Sequence, residues 1–159
     1  MNFILLKASD EHKIAINNLM QYYIYDFSEY INYDVEDNGL FAPYPNLMDY
    51  WQVNNDKFPY AVKMNDKYVG FVLVKLINSI DRSYFSIAEF FILKRYRRQG
   101  IGKAVAMQVF NLHKGQWEVY QKESNKPAQL FWNNIISKYT KGQFNERLED
   151  GKRIQNFEN

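Results

Sequence analysis

Residues 89–106 (EFFILKRYRRQGIGKAVA) constrain this chain more than any other stretch. The apolar run Phe90, Phe91, Ile92 and Leu93 reads as a buried strand. A basic turn with Gly100 and Gly102 follows it. Ile101, Val105, Val109 and Leu112 then recur at helical spacing, up to Lys114. A strand, a glycine turn and a helix in that order build an anion site. The first amides of a helix have no partner within it, and the positive end of the helix dipole points the same way. Lys94, Arg95, Arg97, Arg98 and Lys103 add charge, and the two glycines let an anion approach the backbone.

Two nucleotide patterns are excluded here. The dinucleotide pattern needs a third glycine where Val105 stands, and the P-loop needs serine or threonine where Ala104 stands. What fits is Arg97-x-x-Gly100-x-Gly102 directly after a strand. This resembles the [Q/R]-x-x-G-x-[G/A] signature of the GNAT acetyltransferase superfamily. The resemblance implies that Arg97, Arg98, Gln99, Gly100, Ile101, Gly102 and Lys103 form the turn that holds the pyrophosphate of acetyl-CoA. It also implies that backbone N–H groups of Phe91, Ile92 and Leu93 polarise the thioester carbonyl.

A second segment, Asn125-Lys126-Pro127-Ala128-Gln129-Leu130-Phe131-Trp132, resembles the family's N-x-x-A-x-x-[LF]-Y. Asn125, Ala128 and Phe131 match, and by resemblance they line the pantetheine arm. Read without the family, Asn125 is a helix cap and Ala128 and Phe131 are core. The departure is Trp132, where the family's tyrosine donates a proton to the leaving thiolate. An indole N–H cannot titrate. Tyr120, Ser124 and Tyr139 are the replacement candidates, water is another, and Tyr120 is taken as the catalytic one.

With 159 residues, 47% of them hydrophobic and 24% charged, one α/β domain over residues 1–159 is expected. A net charge of +2 is too small to argue for nucleic acid. Without cysteine there is no thiolate chemistry, and His12 and His113 are too far apart in sequence to suggest a metal. Both histidines read as surface helix residues. Phe3 to Leu6 is too short for a signal peptide, and no window reaches the roughly 20 apolar residues of a membrane span. The expectation is a soluble, cytoplasmic protein with no nucleic-acid or membrane partner.

Along the chain, 2–7 reads as a strand and Ser9 as the cap of a helix reaching about Tyr30. Residues 32–45 read as loop, and 47–53 as a short helix. Residues 60–64 and 67–77 form a hairpin over Asn65-Asp66, with Gly70 marking a bulge. Residues 83–93 form a long strand. Gly115 reads as a helix C-cap, 116–121 as a strand, and 125–138 as a helix. Residues 141–148 and 153–157 form a last hairpin. This order gives a mixed sheet with helices on its faces. It is also the GNAT order, which implies a mostly antiparallel central sheet whose strands 83–93 and 116–121 splay apart at the acetyl-CoA site.

The resemblance therefore implies an N-acetyltransferase with acetyl-CoA as cosubstrate and a primary amine as acceptor. The alternative is a catalytically weak CoA-binding sensor or interaction module. Glu89 is the candidate base, because a carboxylate in an apolar strand is costly unless it has a use or a partner. Residues 14–56 contain no lysine or arginine, but seven acids and ten aromatic residues. From this segment Tyr25, Asp26, Tyr30 and Trp51 are candidate acceptor contacts, suited to a small or basic amine. The exposed helices and the C-terminal hairpin are candidate homodimer surfaces.

Overall fold

The computed structural model describes residues 2–53 and 56–159. Seven strands form one sheet: β1 Phe3–Lys7, β2 Lys57–Met64, β3 Lys67–Asn78, β4 Ser83–Ile92, β5 Gln116–Lys122, β6 Asn145–Glu149 and β7 Lys152–Glu158. Their order is β1-β2-β3-β4-β5-β7-β6. Every neighbouring pair is antiparallel except β4 with β5. Helix α1 (Lys13–Phe27) covers one face, and α2 (Ile101–Leu112) and α3 (Lys126–Tyr139) cover the other.

This layering follows from where the apolar residues lie. β3 is buried continuously from Val69 to Val74, as expected of a central strand covered on both faces. Phe71 and Leu73 pack under α1 with Ile16, Leu19, Met20 and Ile24. Val72 and Val74 face Val105, Val109 and Phe110 of α2 and Ile135 and Ile136 of α3. The β2–β3 turn places Asn65 and Asp66 at φ 48° and 59°, the primed geometry that matches strand twist.

Several boundaries differ from the sequence reading. The first turn after Ser9 is a 3-10 turn, and α1 proper starts at Lys13 and ends at Phe27. Residues Leu47–Trp51 also form a 3-10 turn. β2 begins at Lys57 and runs through Pro59, which lies past the paired end of β1, so its missing donor costs nothing there. α2 stops at Leu112, which is 59% exposed, and Phe110 takes the core position. Gly115 does not cap that helix; its N–H is donated to Asn159 Oδ1. β6 begins only at Asn145, because Lys141 and Gly142 turn through positive φ after α3. Both histidines are buried. His12 closes a reciprocal cap with Ser9, and His113 is hydrogen-bonded to the Tyr60 hydroxyl at 2.7 Å.

Two register slips shape the centre of the sheet. Val62 pairs with Gly70 but Lys63 with Tyr68, leaving Val69 as an extra residue beside the expected Gly70 bulge. Leu73 pairs with Glu89 but Val74 with Ile87, which makes Ala88 a bulge in β4. β4 and β5 pair only at Phe85–Trp117 and Ser86–Glu118. Beyond these two positions the strands diverge, and the gap opens towards the C-terminal end of β4.

Candidate active site

The basic turn forms one end of the gap. Leu93 donates its N–H to Val69, and a tight 3-10 turn over Lys94–Tyr96 reverses the chain. Arg98 and Gly100 then adopt φ 59° and 81°. The first bond of α2 runs from Ala104 N–H to Gly100 O at 3.1 Å. Among the described residues, no backbone hydrogen bond uses the amides of residues 98–103. A run of unsatisfied donors at a helix N-terminus is a cradle for a phosphate group. Neither Arg98 nor Lys103 has an ion-pair partner among the described residues, and both line the adjoining cleft.

Arg97 is engaged differently. Its Nε donates to Ile92 O at 2.6 Å, its Nη2 donates to Asp26, and its guanidinium lies over the Phe91 ring at 5.5 Å. Asp26 also pairs with Lys94 at 3.2 Å. Arg97 therefore ties the turn to β4 and to the end of α1. Of the three amides named from the sequence, that of Leu93, just past β4, is committed to β3. Strand alternation gives Phe91 the same direction and turns the Ile92 amide towards the gap.

The gap holds a cleft of about 930 Å³. Arg97, Arg98, Gly100, Gly102 and Lys103 line it at the turn; Phe90, Phe91 and Ile92 line it on β4; Asn125, Pro127, Ala128, Phe131 and Trp132 line it on α3. Tyr25, Asp26 and Tyr30 form its outer wall. Leu93, Gln99 and Ile101 do not line it, and Ile101 is core. Gly102 has a packing reason of its own: a Cβ there would lie 3.2 Å from the Phe131 ring. Asn125 Oδ1 accepts from Ala128 N–H at 3.0 Å, so the residue does cap α3. The unpaired amides, the two cations and the volume of this cleft fit CoA with its diphosphate on the turn.

A second space of about 310 Å³ adjoins the cleft, with Phe90 and Trp132 lining both. Tyr23, Phe27, Phe90, Asn125, Ala128 and Trp132 line both. Glu89, Tyr120, Lys122 and Lys152 line the second space only. Burial pushes the Glu89 carboxyl above the ordinary range, opposed by hydrogen bonds from Tyr23 and Tyr44 and by the charge of Lys75. The Ala88 bulge and strand alternation aim Glu89 at the α1 face, alongside Leu73 and Phe91. It is half-buried, and among the described residues it makes no ion pair with a lysine. Burial and the Glu89 charge together raise the Tyr120 phenol.

Sequence reasoning missed the hydroxyls around Glu89. Tyr44 donates directly to Glu89 Oε1. It reaches there because Gln21 on α1 brackets Phe41 with two backbone hydrogen bonds, at 3.1 and 2.9 Å. Tyr23 and the buried Tyr50 complete the group, their phenols raised first by burial and then by Glu89. No spacing rule joins residues 45 apart through a loop. Trp51 lines neither cleft; its Nε1 donates to Ser9 O at 3.0 Å, near the start of α1. Trp132 is buried edge-on against Phe90 and Phe131. Tyr139 donates to Asn111 and packs on Phe110 and Phe157, away from both clefts, and Ser124 lines neither. Among the described residues there is no group of three potential metal ligands and no helix long and apolar enough to cross a membrane.

The fold is similar to that of solved acetyltransferases. The PaiA N-acetyltransferase from Thermoplasma acidophilum, in complex with coenzyme A, aligns over 100% of both chains at 13% identity and TM-score 0.65. An acetyltransferase from Thermus thermophilus aligns over 100% of this chain and 98% of its own at 11% identity and TM-score 0.69. The ribosomal-protein-S18-alanine N-acetyltransferase from Escherichia coli aligns over 99% of this chain and 94% of its own at 13% identity and TM-score 0.65. At such identities the likeness shows the fold alone. No curated protein matches the sequence. The model of the acetyltransferase (GNAT) family, however, matches residues 18–134, well over half of the chain. The cradle of free amides, the splayed strands and that match together make this chain a member of the GNAT acetyltransferase family, acyltransferases that depend on acetyl-CoA.

Proposed function

We propose that this enzyme acetylates a small primary amine by direct attack on the thioester, with Glu89 as base. The observation that carries this reading is a pair of adjoining spaces that share six lining residues, with unpaired amides at the larger and the half-buried Glu89 carboxyl at the smaller. Acetyl-CoA supplies an acetyl group already activated as a thioester. The amides of residues 98–103, with Arg98 and Lys103, hold its diphosphate. Asn125, Ala128 and Phe131 wall the arm, and the Ile92 N–H offers a donor to the acyl oxygen. Glu89 accepts the proton that an ammonium must lose before it can attack, and the upward shift that burial gives its pKa makes it a stronger base than an ordinary carboxylate. Tyr120 holds the proton that the departing sulfur takes up, and the proton lost by the newly acylated nitrogen as the adduct collapses restores it.

Charge bears on the acceptor. The acidic segment 14–56 favours a basic amine by long-range attraction. Within it, only Asp26 and Glu29 line either cleft among the described residues, and Asp26 is already paired with Lys94 and Arg97. The space beside Glu89 is small, which favours a compact acceptor. Trp132 in place of a tyrosine favours a second reading, a CoA-binding module with little turnover. A CoA-release assay across a panel of primary amines, with product masses, separates the two. An acetylated amine is expected. Tight CoA binding without any acetylated product would establish the module instead.

A further inference from the structure

The charged lining of the acceptor space is one carboxyl and two ammoniums: Glu89 inside, Lys122 and Lys152 at the rim. The two lysines stand directly opposite each other across β5 and β7. Residues opposed in this way point to the same face, and like charges so placed destabilise the pair. Two carboxylates on the neighbouring strands are engaged by arginines. Glu149 faces Lys152 across β6 and β7, but it accepts from Arg147 Nε at 2.8 Å. Glu118, on the same strand and face as Lys122, is gripped by Arg147 and Arg82. The end of β5 is held in place, because Gln129 donates to both Lys122 O and Glu123 O at 2.9 Å. Lys152 Nζ lies 5.0 Å from the Tyr120 ring centroid, and Tyr120 in turn lies within reach of the Glu89 charge.

We infer that the acceptor carries an anionic group, a carboxylate or a phosphate, a few atoms from its amine, with the amine against Glu89 and the anion between Lys122 and Lys152. The inference rests on the acetyl-transfer reading and narrows it to a substrate class, compact amino acids or amino phosphates. A zwitterion matches this lining at both ends. A diamine or polyamine of the same length would press its second cation against two lysines. The space of about 310 Å³ suits a free small molecule.

The test uses matched pairs: leucine with isopentylamine, β-alanine with propylamine, phosphoethanolamine with ethylamine, and putrescine as the dication. Each is titrated calorimetrically into the CoA-saturated protein and assayed for CoA release with acetyl-CoA. The anionic member of at least one pair should bind and turn over at least about tenfold better than its partner, and the pair that responds identifies carboxylate or phosphate. Each exposed lysine changed singly, Lys122→Gln or Lys152→Gln, should cut that preference by up to about fivefold. The double variant should cut it by on the order of tenfold, with the melting temperature retained. Equal or better binding of the uncharged partners or of putrescine overturns the inference. So does a preference untouched by the double variant, or a failure of every anionic amine to bind. Binding of anionic amines without turnover would sustain it and overturn acetyl transfer instead.

Discussion

Gly102 allows the cofactor end of the gap to be tested quantitatively. A Cβ at this position would meet Phe131 Cε2 at 3.2 Å, Phe131 Cζ at 3.3 Å and Phe90 Cε1 at 3.7 Å. The backbone is ordinary helix, so only these rings resist substitution. In Gly102→Ala the Phe131 ring must give by a few tenths of an ångström. The helix gains up to about 1 kcal/mol in propensity, which offsets that contact. Stability should stay within about 1 kcal/mol of the parent protein. Gly102→Val adds two carbons about 1.5 Å beyond the Cβ, more than the ring can absorb in place. Overpacking of this kind costs about 1–3 kcal/mol. Because Phe131 and Phe90 both line the cleft, the displaced rings should also lower CoA affinity by on the order of tenfold or more. Phe131→Leu in the valine background should restore part of both losses. Denaturant melts and CoA calorimetry on the four-member cycle measure the coupling, expected at about 1–2 kcal/mol. Zero coupling, or normal CoA affinity in Gly102→Val, would refute the packing and the placement of the cofactor.

Glu89→Gln keeps an acceptor for Tyr44 but cannot take a proton. Turnover should fall by about 10²–10⁴-fold, CoA affinity should be unchanged, and the acidic limb of the pH–rate profile should vanish. Folding raises the Glu89 pKa, so the folded state keeps this proton to higher pH than the unfolded chain. That stabilisation is complete below about 4.5 and is lost as pH rises through the raised value. The glutamine variant should therefore gain stability relative to the parent towards neutral pH, as read by melts across pH. His113 works in the opposite direction: burial, then the charge of Lys7, holds its pKa below 6.5. Its contribution is present above 6.5 and is lost as pH falls through the depressed value, and His113→Gln should flatten that part of the curve. Arg97→Ala removes the links to Ile92 O and Asp26. It should cost about 1–3 kcal/mol and weaken CoA binding, both visible in melts with and without CoA.

The lining of the larger cleft was legible in the sequence because it is local. Residues 98–103 and 125–131 each lie at a strand-to-helix step, where a few consecutive residues set the backbone and the donors. Most strand positions were legible for a similar reason, since Asn65-Asp66 and Asp150-Gly151 are turns that announce their hairpins. The errors fall where a distant contact decides. Pro59 sits in a strand because β1 has already ended, Gly115 serves Asn159 rather than a helix end, and both histidines are buried by aromatic or cap partners. The acceptor half was hidden for the same reason. Tyr44 reaches Glu89 only through the bracket of Gln21 on Phe41, and Lys122 meets Lys152 only through the pairing of β5 with β7.

The central claim is that backbone donors of residues 98–103 grip the diphosphate of CoA, and amide chemical shifts measure those donors one by one. In a ¹⁵N-resolved titration with CoA, the largest downfield shifts should fall on the amides of residues 98–103, and inorganic pyrophosphate should reproduce them at higher concentration. Shifts confined to other segments, with this turn unmoved at saturation, would contradict the account.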